Sequence, residues 1–366
     1  MRLDLYFARR FIQSFLMIGV VFLTLMMLID MVEQLRRFEG IELGFGKLFR
    51  LMLLNTPSAI KDILPLLMIL STIVLFVGLA RSSELVVTRA VGRSGIRALV
   101  APGAVALIIG ILAVTTLNPI AAATSNRYQQ LSDIYRTGGP QVLSLSDEGL
   151  LLRQGGAQGQ SVIHATAYGS IDPIELFDVT IISYDPNGGP VRRIHAESAR
   201  LGTDAWLLQS AKVWTLASGI NPEATAARHD TLSLPTTLTQ DRIRNSLGRP
   251  MGVSIYDLPD TIRALRQAGF SSRKHEVWYQ VELARPLFLM AMVLVGAAFT
   301  MRHTRFGGTG LAVLMAVMLG FALYFIRNFA QILGENGQIP VALAAWGPPV
   351  ASLFLTMGLL LHAEDG

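Results

Sequence analysis

The sequence contains no cysteine, which excludes disulfides and thiolate-held metals and removes the usual redox clue to compartment, though the lack is compatible with an oxidising space. Charge is also scarce: 16% of the 366 residues are Asp, Glu, Lys or Arg against 51% hydrophobic, a balance that a soluble globular chain of this length does not normally show. The surplus apolar surface must face lipid. No G-x-x-x-x-G-K-[ST] phosphate cradle is present. The nearest approach, Gly46-Lys47, is followed by Leu48 and has Ile41 where the first glycine is required. His164, His195, His229, His275, His303 and His362 are scattered without an HExxH pair, so neither a zinc site nor a metalloenzyme is expected. Ser271-Ser272-Arg273-Lys274 matches S-x-x-K but lacks the boxes that accompany it in acyl-enzyme hydrolases; Ser271 or Ser272 fits better as a helix cap, and no catalytic residue is predicted.

What the sequence does have is long uncharged runs. Crossing a ~30 Å hydrocarbon core as a helix takes about 20 apolar residues, because lipid offers backbone polar groups no partner except one another. Phe11–Ile29, Ile63–Ala80, Ala98–Asn126, Phe306–Ile326 and Asn336–Leu361 each lack any Asp, Glu, Lys or Arg, and a sixth run, Val277–Met301, carries only Glu282 and Arg285 near its start. Six transmembrane helices are therefore predicted. The first run follows a charged start, as a signal peptide does, but no small-residue cleavage site precedes the charged Asp30–Arg37 stretch, so a retained helix is expected. Glu282 and Arg285, three residues apart, share a helix face and are expected to pair; Pro286 beside them is expected to kink the helix.

Between the third and fourth runs lies a segment of ordinary soluble composition, far too long for a loop. Residues 133–262 hold 10 basic and 14 acidic residues, so the excess positive charge sits on the membrane part and nucleic acid is a poor explanation for it. Ser161–Ala167, Leu176–Tyr184, Val191–Ala199 and Trp206–Leu216 read as strands, separated by turns at Gly155–Gly156, Asp185–Gly189 and Gly202–Asp204. Sandwich, barrel and jelly roll all fit this spacing. Asp257–Ala268 reads as a short amphipathic helix ending at Gly269. The predicted fold is thus membrane α-helical, 3+3, with an all-β domain: residues 1–130 hold helices 1–3, 131–270 the β domain, and 271–366 helices 4–6.

Arg2, Arg9 and Arg10, then Arg81, Arg89, Arg93 and Arg97, then Arg302 and Arg305 fall in segments that share one side if six spans are right. By the positive-inside rule that side is the cytoplasm, with both termini on it and the β domain outside, in the periplasm of a two-membrane bacterium. The loop Arg81-Ser82-Ser83-Glu84-Leu85-Val86-Val87-Thr88-Arg89-Ala90-Val91-Gly92 then lies on the cytoplasmic face. Ser82 or Ser83 is placed to start a short surface helix, Glu84 suits its first turn and Gly92 its end.

That string, after an apolar helix with Pro65, resembles the coupling helix of the lipopolysaccharide-export permeases, the LptF/LptG family. The resemblance extends along nearly the whole chain, through Val32–Arg37, Lys61–Pro65, the β domain after helix 3, and a last helix opening at Pro340 with Pro348-Pro349 inside it. It implies the permease subunit of an ABC transporter that extracts lipopolysaccharide from the outer leaflet of the bacterial inner membrane and passes it to a periplasmic bridge. It also implies that the β domain is a jelly roll, that the membrane partner is the other paralogue of the pair, and that ATP and Mg belong to the partner ATPase LptB, a dimer, with no cofactor in this chain. LptC and the periplasmic LptA bridge are the remaining implied partners. Of the two paralogues, the chain is more similar to LptG on Glu33–Arg37, Ser83–Val87 and the final helix. By position, Glu84 would contact the ATPase, with Arg81, Arg89 and Gly92 shaping the fit around residues 82–92. Arg36, Arg37 and Lys61 would form a basic rim for lipopolysaccharide phosphates, which need Arg or Lys at outer-leaflet depth. Arg327 is a weaker candidate for the same rim, and Asp30 departs from the basic residue expected nearby. Snorkelling into lipid headgroups is the plainer reading of such helix-end cations. The competing function is a membrane-anchored sensor or assembly scaffold, whose helices serve only as anchors.

Overall fold

A computed structural model describes residues 2–39, 41, 43–90, 94–137, 142–146, 149–156, 159–171, 174–185, 189–202, 204–216, 221–236, 252–267, 271–301 and 309–365. The helices are α1 (Arg2–Arg37), α2 (Phe45–Arg81), the short α3 (Glu84–Ala90) and α4 (Gly95–Leu112), which continues through a π-helical turn (Ala113–Leu117) into α5 (Asn118–Thr137). Strands β1 (Val142–Ser146), β2 (Gly149–Gly156), β3 (Gly159–Ile171), β4 (Ile174–Tyr184), β5 (Pro190–Leu201), β6 (Ala205–Thr215) and β7 (Ala227–Pro235) follow. The chain ends with α6 (Leu258–Gln267), α7 (Arg273–Thr300), α8 (Thr309–Glu335) and α9 (Val341–Asp365).

Among the described residues, six helical segments are long and apolar enough to cross a membrane: Leu3–Arg37, Phe45–Arg81, Gly95–Ser132, Arg273–Thr300, Gly310–Glu335 and Val341–His362. They overlap all six predicted runs but extend beyond several, because the polar flanks keep helical hydrogen bonding; α2 begins at Phe45, well ahead of Ile63, and carries both Pro57 and Pro65 inside it. α7 is the central helix, buried on most of its surface against α2, α4, α8 and α9. Between membrane helices lipid supplies no hydrophobic drive, so close contact has to come from small residues. Gly110 of α4 shows this: a Cβ there would lie 2.5 Å from the Cα of Pro286 on α7. By contrast α1 leaves an apolar stripe exposed along Val21, Leu25, Leu28 and Val32, and α8 another along Leu314, Met318, Phe325 and Phe329.

The β domain is one seven-stranded antiparallel sheet whose strands pair in chain order, β1 to β7. Its apolar face encloses Leu152, Ile163, Leu176, Ile181, Ile194 and the fully buried Trp206. A flat sheet cannot bury that face by itself, so the sheet bends. In β4 the buried positions run Ile174, Leu176, then Val179, Ile181; in β5 Ile194, Ala196, then Ala199, Leu201; in β6 Trp206, Leu208, then Ala211. The one-residue slip recurs in three adjacent strands. In β4 and β6 it coincides with left-handed residues, Asp178 (φ 52°) and Ser210 (φ 51°). Such bulges form a crease and increase curl. The curl brings the end of β7 round to β2, where the Thr236 hydroxyl donates to Gln154 Oε1 at 2.6 Å. The expected β-rich domain is therefore present, as a single curled sheet without a Greek-key crossover among the described strands. Its strands occupy Val142–Pro235; residues on either side, in α5 and in Gly252–Gln267, pack with the membrane helices instead.

Candidate functional site

The loop between the second and third spans is built around one carboxylate. Ser83, at φ 62°, turns the chain out of α2, and its carbonyl accepts the N–H groups of Val86 and Val87 to start α3. Glu84 opens α3, and its side chain reaches back to α1. Tyr6 donates its hydroxyl to Glu84 Oε2 at 2.7 Å, Ser82 donates to Oε1 at 2.9 Å, and Arg10 Nη2 lies 3.6 Å from Oε1. Arg10 Nε also donates to the Tyr6 oxygen at 3.0 Å, which orients the phenol. The Tyr6 hydroxyl, with Ser82 and Arg10 behind it, holds the Glu84 carboxyl below its usual pKa. Ser82 thus engages the Glu84 side chain, and no backbone cap from either serine is formed. Leu85 and Thr88 turn inward and Val86 and Val87 outward, giving α3 an exposed apolar edge. Arg81 is exposed at the end of α2. The side chain of Arg89 and the whole of Gly92 lie outside the described residues.

A second cluster sits inside the helical body, toward the end that carries the β domain. Glu282 of α7 is fully buried and accepts from Arg285 Nη2 at 2.7 Å and Arg285 Nε at 3.0 Å, the i,i+3 pair expected from the sequence. The same carboxylate takes Lys61 Nζ at 3.3 Å, and Arg285 Nη1 donates to the Lys61 carbonyl at 2.9 Å. Lys61 is 3% exposed, with its ammonium 4.6 Å from the centre of the Trp278 ring. Arg327 of α8, also buried, lies 5.3 Å from the Phe288 ring centre and reaches Asn328 Oδ1 at 3.4 Å. Glu282, with the neighbouring carboxylate of Asp62 on α2, faces three buried cations here, so the cluster carries one excess positive charge.

The expected basic rim is only partly assembled. Arg36 and Arg37 are both exposed at the end of α1. Arg37 Nη1 donates to the Tyr128 hydroxyl at 2.6 Å, and Tyr128 also hydrogen-bonds Gln34. Lys61 does not join them: it turns from α1 toward α7 and is held by Glu282. Asp30, the departure noted in the sequence, accepts from Asn55 Nδ2 at 2.9 Å and Gln34 Nε2 at 3.3 Å, and so locks α1 to α2. Ser272 occupies the N-cap position of α7, yet its hydroxyl pairs with Glu276 and receives Arg266 Nε, with no side-chain cap bond. Among the described residues no group of three His, Cys, Asp or Glu is placed to hold a metal.

Six apolar helices, a curled β domain between the third and fourth, and a short surface helix tied to α1 define a multi-pass α-helical membrane protein. The chain matches the family described as lipopolysaccharide export system permease LptF/LptG over residues 5–362, and it belongs to that family. It is 23% identical to the lipopolysaccharide export system permease protein LptG of Haemophilus influenzae over 95% of this chain and 96% of that protein. It is 22% identical to LptG of Escherichia coli K12, with 98% of each covered. Family membership makes it a permease subunit of an ABC transporter, without an ATPase of its own, in the inner membrane.

Proposed function

We propose that this chain is the LptG-type subunit of a complex that lifts lipopolysaccharide from the outer leaflet of the inner membrane. It pairs with LptF, takes ATP-driven motion from an LptB dimer in the cytoplasm, and passes the lipid through its periplasmic β domain toward LptC and the LptA bridge. The observation that carries this reading is the Tyr6–Glu84 tie. Two spans precede α3 and three precede the β domain, so they emerge on opposite faces, and α3 is fastened to α1, the helix most open to lipid. The exposed Val86–Val87 edge is the surface offered to the ATPase. A displacement of α3 is passed through Glu84 to Tyr6 and Arg10 and moves the cytoplasmic end of α1, which Phe7 and Phe11 anchor in the core. ATP binding drives that motion only because the ATPase binds the two arrangements differently. Arg36, Arg37 and the excess positive charge around Lys61 suit the phosphates of the lipid, and the apolar stripes of α1 and α8 suit its acyl chains.

The test is extraction of the chain in detergent with its partners. The reading expects an ATPase to co-purify, and Glu84→Ala to lose ATP-driven lipid release. A chain that brings down no ATPase and whose Glu84→Ala form behaves as the parent supports the sensor or scaffold instead.

A further inference from the structure

The third span contains a flaw that its own sequence creates. In an α-helix the carbonyl of Thr115 would accept from residue 119, which is Pro119 and has no N–H. The chain answers with the π turn: the Asn118 N–H skips one residue and donates to Ala113 O. A carbonyl that has lost its α-helical donor within an apolar span gains from a new one, because lipid supplies none. The partner comes from the segment that returns from the β domain. Tyr256 donates its hydroxyl to Thr115 O at 3.0 Å. Tyr256 as a whole is 63% exposed, so the hydroxyl, more than packing, is what it contributes.

Two further bonds lay the same segment along the same helix face. The Ile255 N–H donates to Oδ1 of Asn118, a side chain only 2% exposed, at 2.9 Å. Two turns further on, Asn126 Nδ2 donates to Gly252 O at 2.7 Å, and a Cβ on Gly252 would lie 2.4 Å from Asn126 Oδ1, so a larger residue there would push the Asn126 side chain aside. The other side of this helix stretch packs on α7, where Gly110 meets Pro286, the neighbour of Arg285 in the buried ion cluster. The π turn therefore sits between the ion cluster and the chain entering from the β domain.

We infer that Asn118 and Tyr256 are positioning residues for transport: they pin Gly252–Tyr256 to the π turn, so that movement of the third and fourth spans sets the register of the β domain against the lipid path. The inference rests on the transport reading, and it adds where the membrane helices hold the β domain. It separates two steps, loading of lipid between the helices and its transfer into the β domain, and assigns the clasp to the second.

The experiment uses the assembled complex in membranes, with photo-crosslinking residues placed at Leu28 on the open stripe of α1 and at Val213 beside the β-domain interior. Asn118→Leu combined with Tyr256→Phe is expected to keep lipopolysaccharide crosslinking at Leu28 while lowering nucleotide-dependent crosslinking at Val213 by at least about tenfold, as expected when a stabilising contact between two moving bodies is lost. Asn118→Asp retains the acceptor for Ile255 and is expected to restore the signal. In the purified chain the double variant should also speed amide exchange at Ile255 without changing α7, which reports the clasp independently of lipid. Unchanged crosslinking at Val213, a parallel loss at Leu28, or failure of Asn118→Asp to restore the signal overturns the inference. Absence of any nucleotide-dependent crosslink in the parent chain overturns the transport reading itself.

Discussion

Removing Glu282 should damage this protein far more than removing Lys61, although the two are partners. Glu282 is fully buried and is the acceptor for both Arg285 and Lys61, so Glu282→Ala strands two cations that are 4% and 3% exposed. Breaking a buried pair from one side costs roughly 3–5 kcal/mol, because an uncompensated charge is left in a low-dielectric interior. At about 1.4 kcal/mol per factor of ten, that is a loss of about two to three and a half orders of magnitude in the folded ratio. Lys61→Met removes one cation, keeps most of the volume, and leaves Glu282 in its two-bond contact with Arg285. Its cost is expected to stay within about 1.5 kcal/mol, since Glu282 keeps Arg285 as its counter-charge and the side-chain volume is nearly conserved. Unfolding of the detergent-purified chain in a denaturant series, with the double variant completing a cycle, gives both values and the coupling between them. A Lys61→Met variant as unstable as Glu282→Ala would refute the description of Glu282 as the shared counter-charge.

Three other outcomes follow. Tyr6→Phe deletes one hydrogen bond to a charged acceptor, worth about 1.5–3 kcal/mol when fully shielded and less at this half-exposed site, where Ser82 and Arg10 remain; lipid released per ATP should fall while ATPase association persists. Because the folded pKa of Glu84 is depressed, the stability its bonds contribute is present above the ordinary Glu range and is lost as pH falls through the folded value, so the tie should be constant across neutral pH and weaken only in acid. A pH profile of Tyr6 fluorescence or of the α1–α3 distance checks this. In the β domain Trp206→Ala should cost about 3–5 kcal/mol by opening the core, whereas Trp206→Phe should cost much less, since the buried Nε1 of Trp206 has no hydrogen-bond partner to lose. Thermal unfolding of the intact protein by near-ultraviolet circular dichroism distinguishes the two.

What could be read in the sequence was what repeats or sits close together along the chain. Charge-free runs marked the six spans, and the i,i+3 spacing of Glu282 and Arg285 announced their pair. Alternation marked β3 to β6 but missed β1, β2 and β7; β7 is a mostly exposed strand, ARHDTLSLP, whose few apolar residues give little periodic signal. The long-range partners had no local signature. Lys61 meets Glu282 across 221 positions, Tyr6 meets Glu84 across 78, and Tyr256 meets Thr115 across 141. That is why Lys61, a helix-end cation in the sequence, was expected at an open rim with Arg36 and Arg37 and is instead buried between α2 and α7. Pro119 leaves the Thr115 carbonyl without its helical donor, but only the fold supplies the Tyr256 hydroxyl.

The most direct test of the account is ATP-driven release of lipopolysaccharide from proteoliposomes that contain this chain with its paralogue and ATPase, comparing the parent with Glu84→Ala. The account predicts release that requires nucleotide and collapses in the variant while the lipid still crosslinks to α1. Release that is equal in both, or that proceeds without nucleotide, would contradict it.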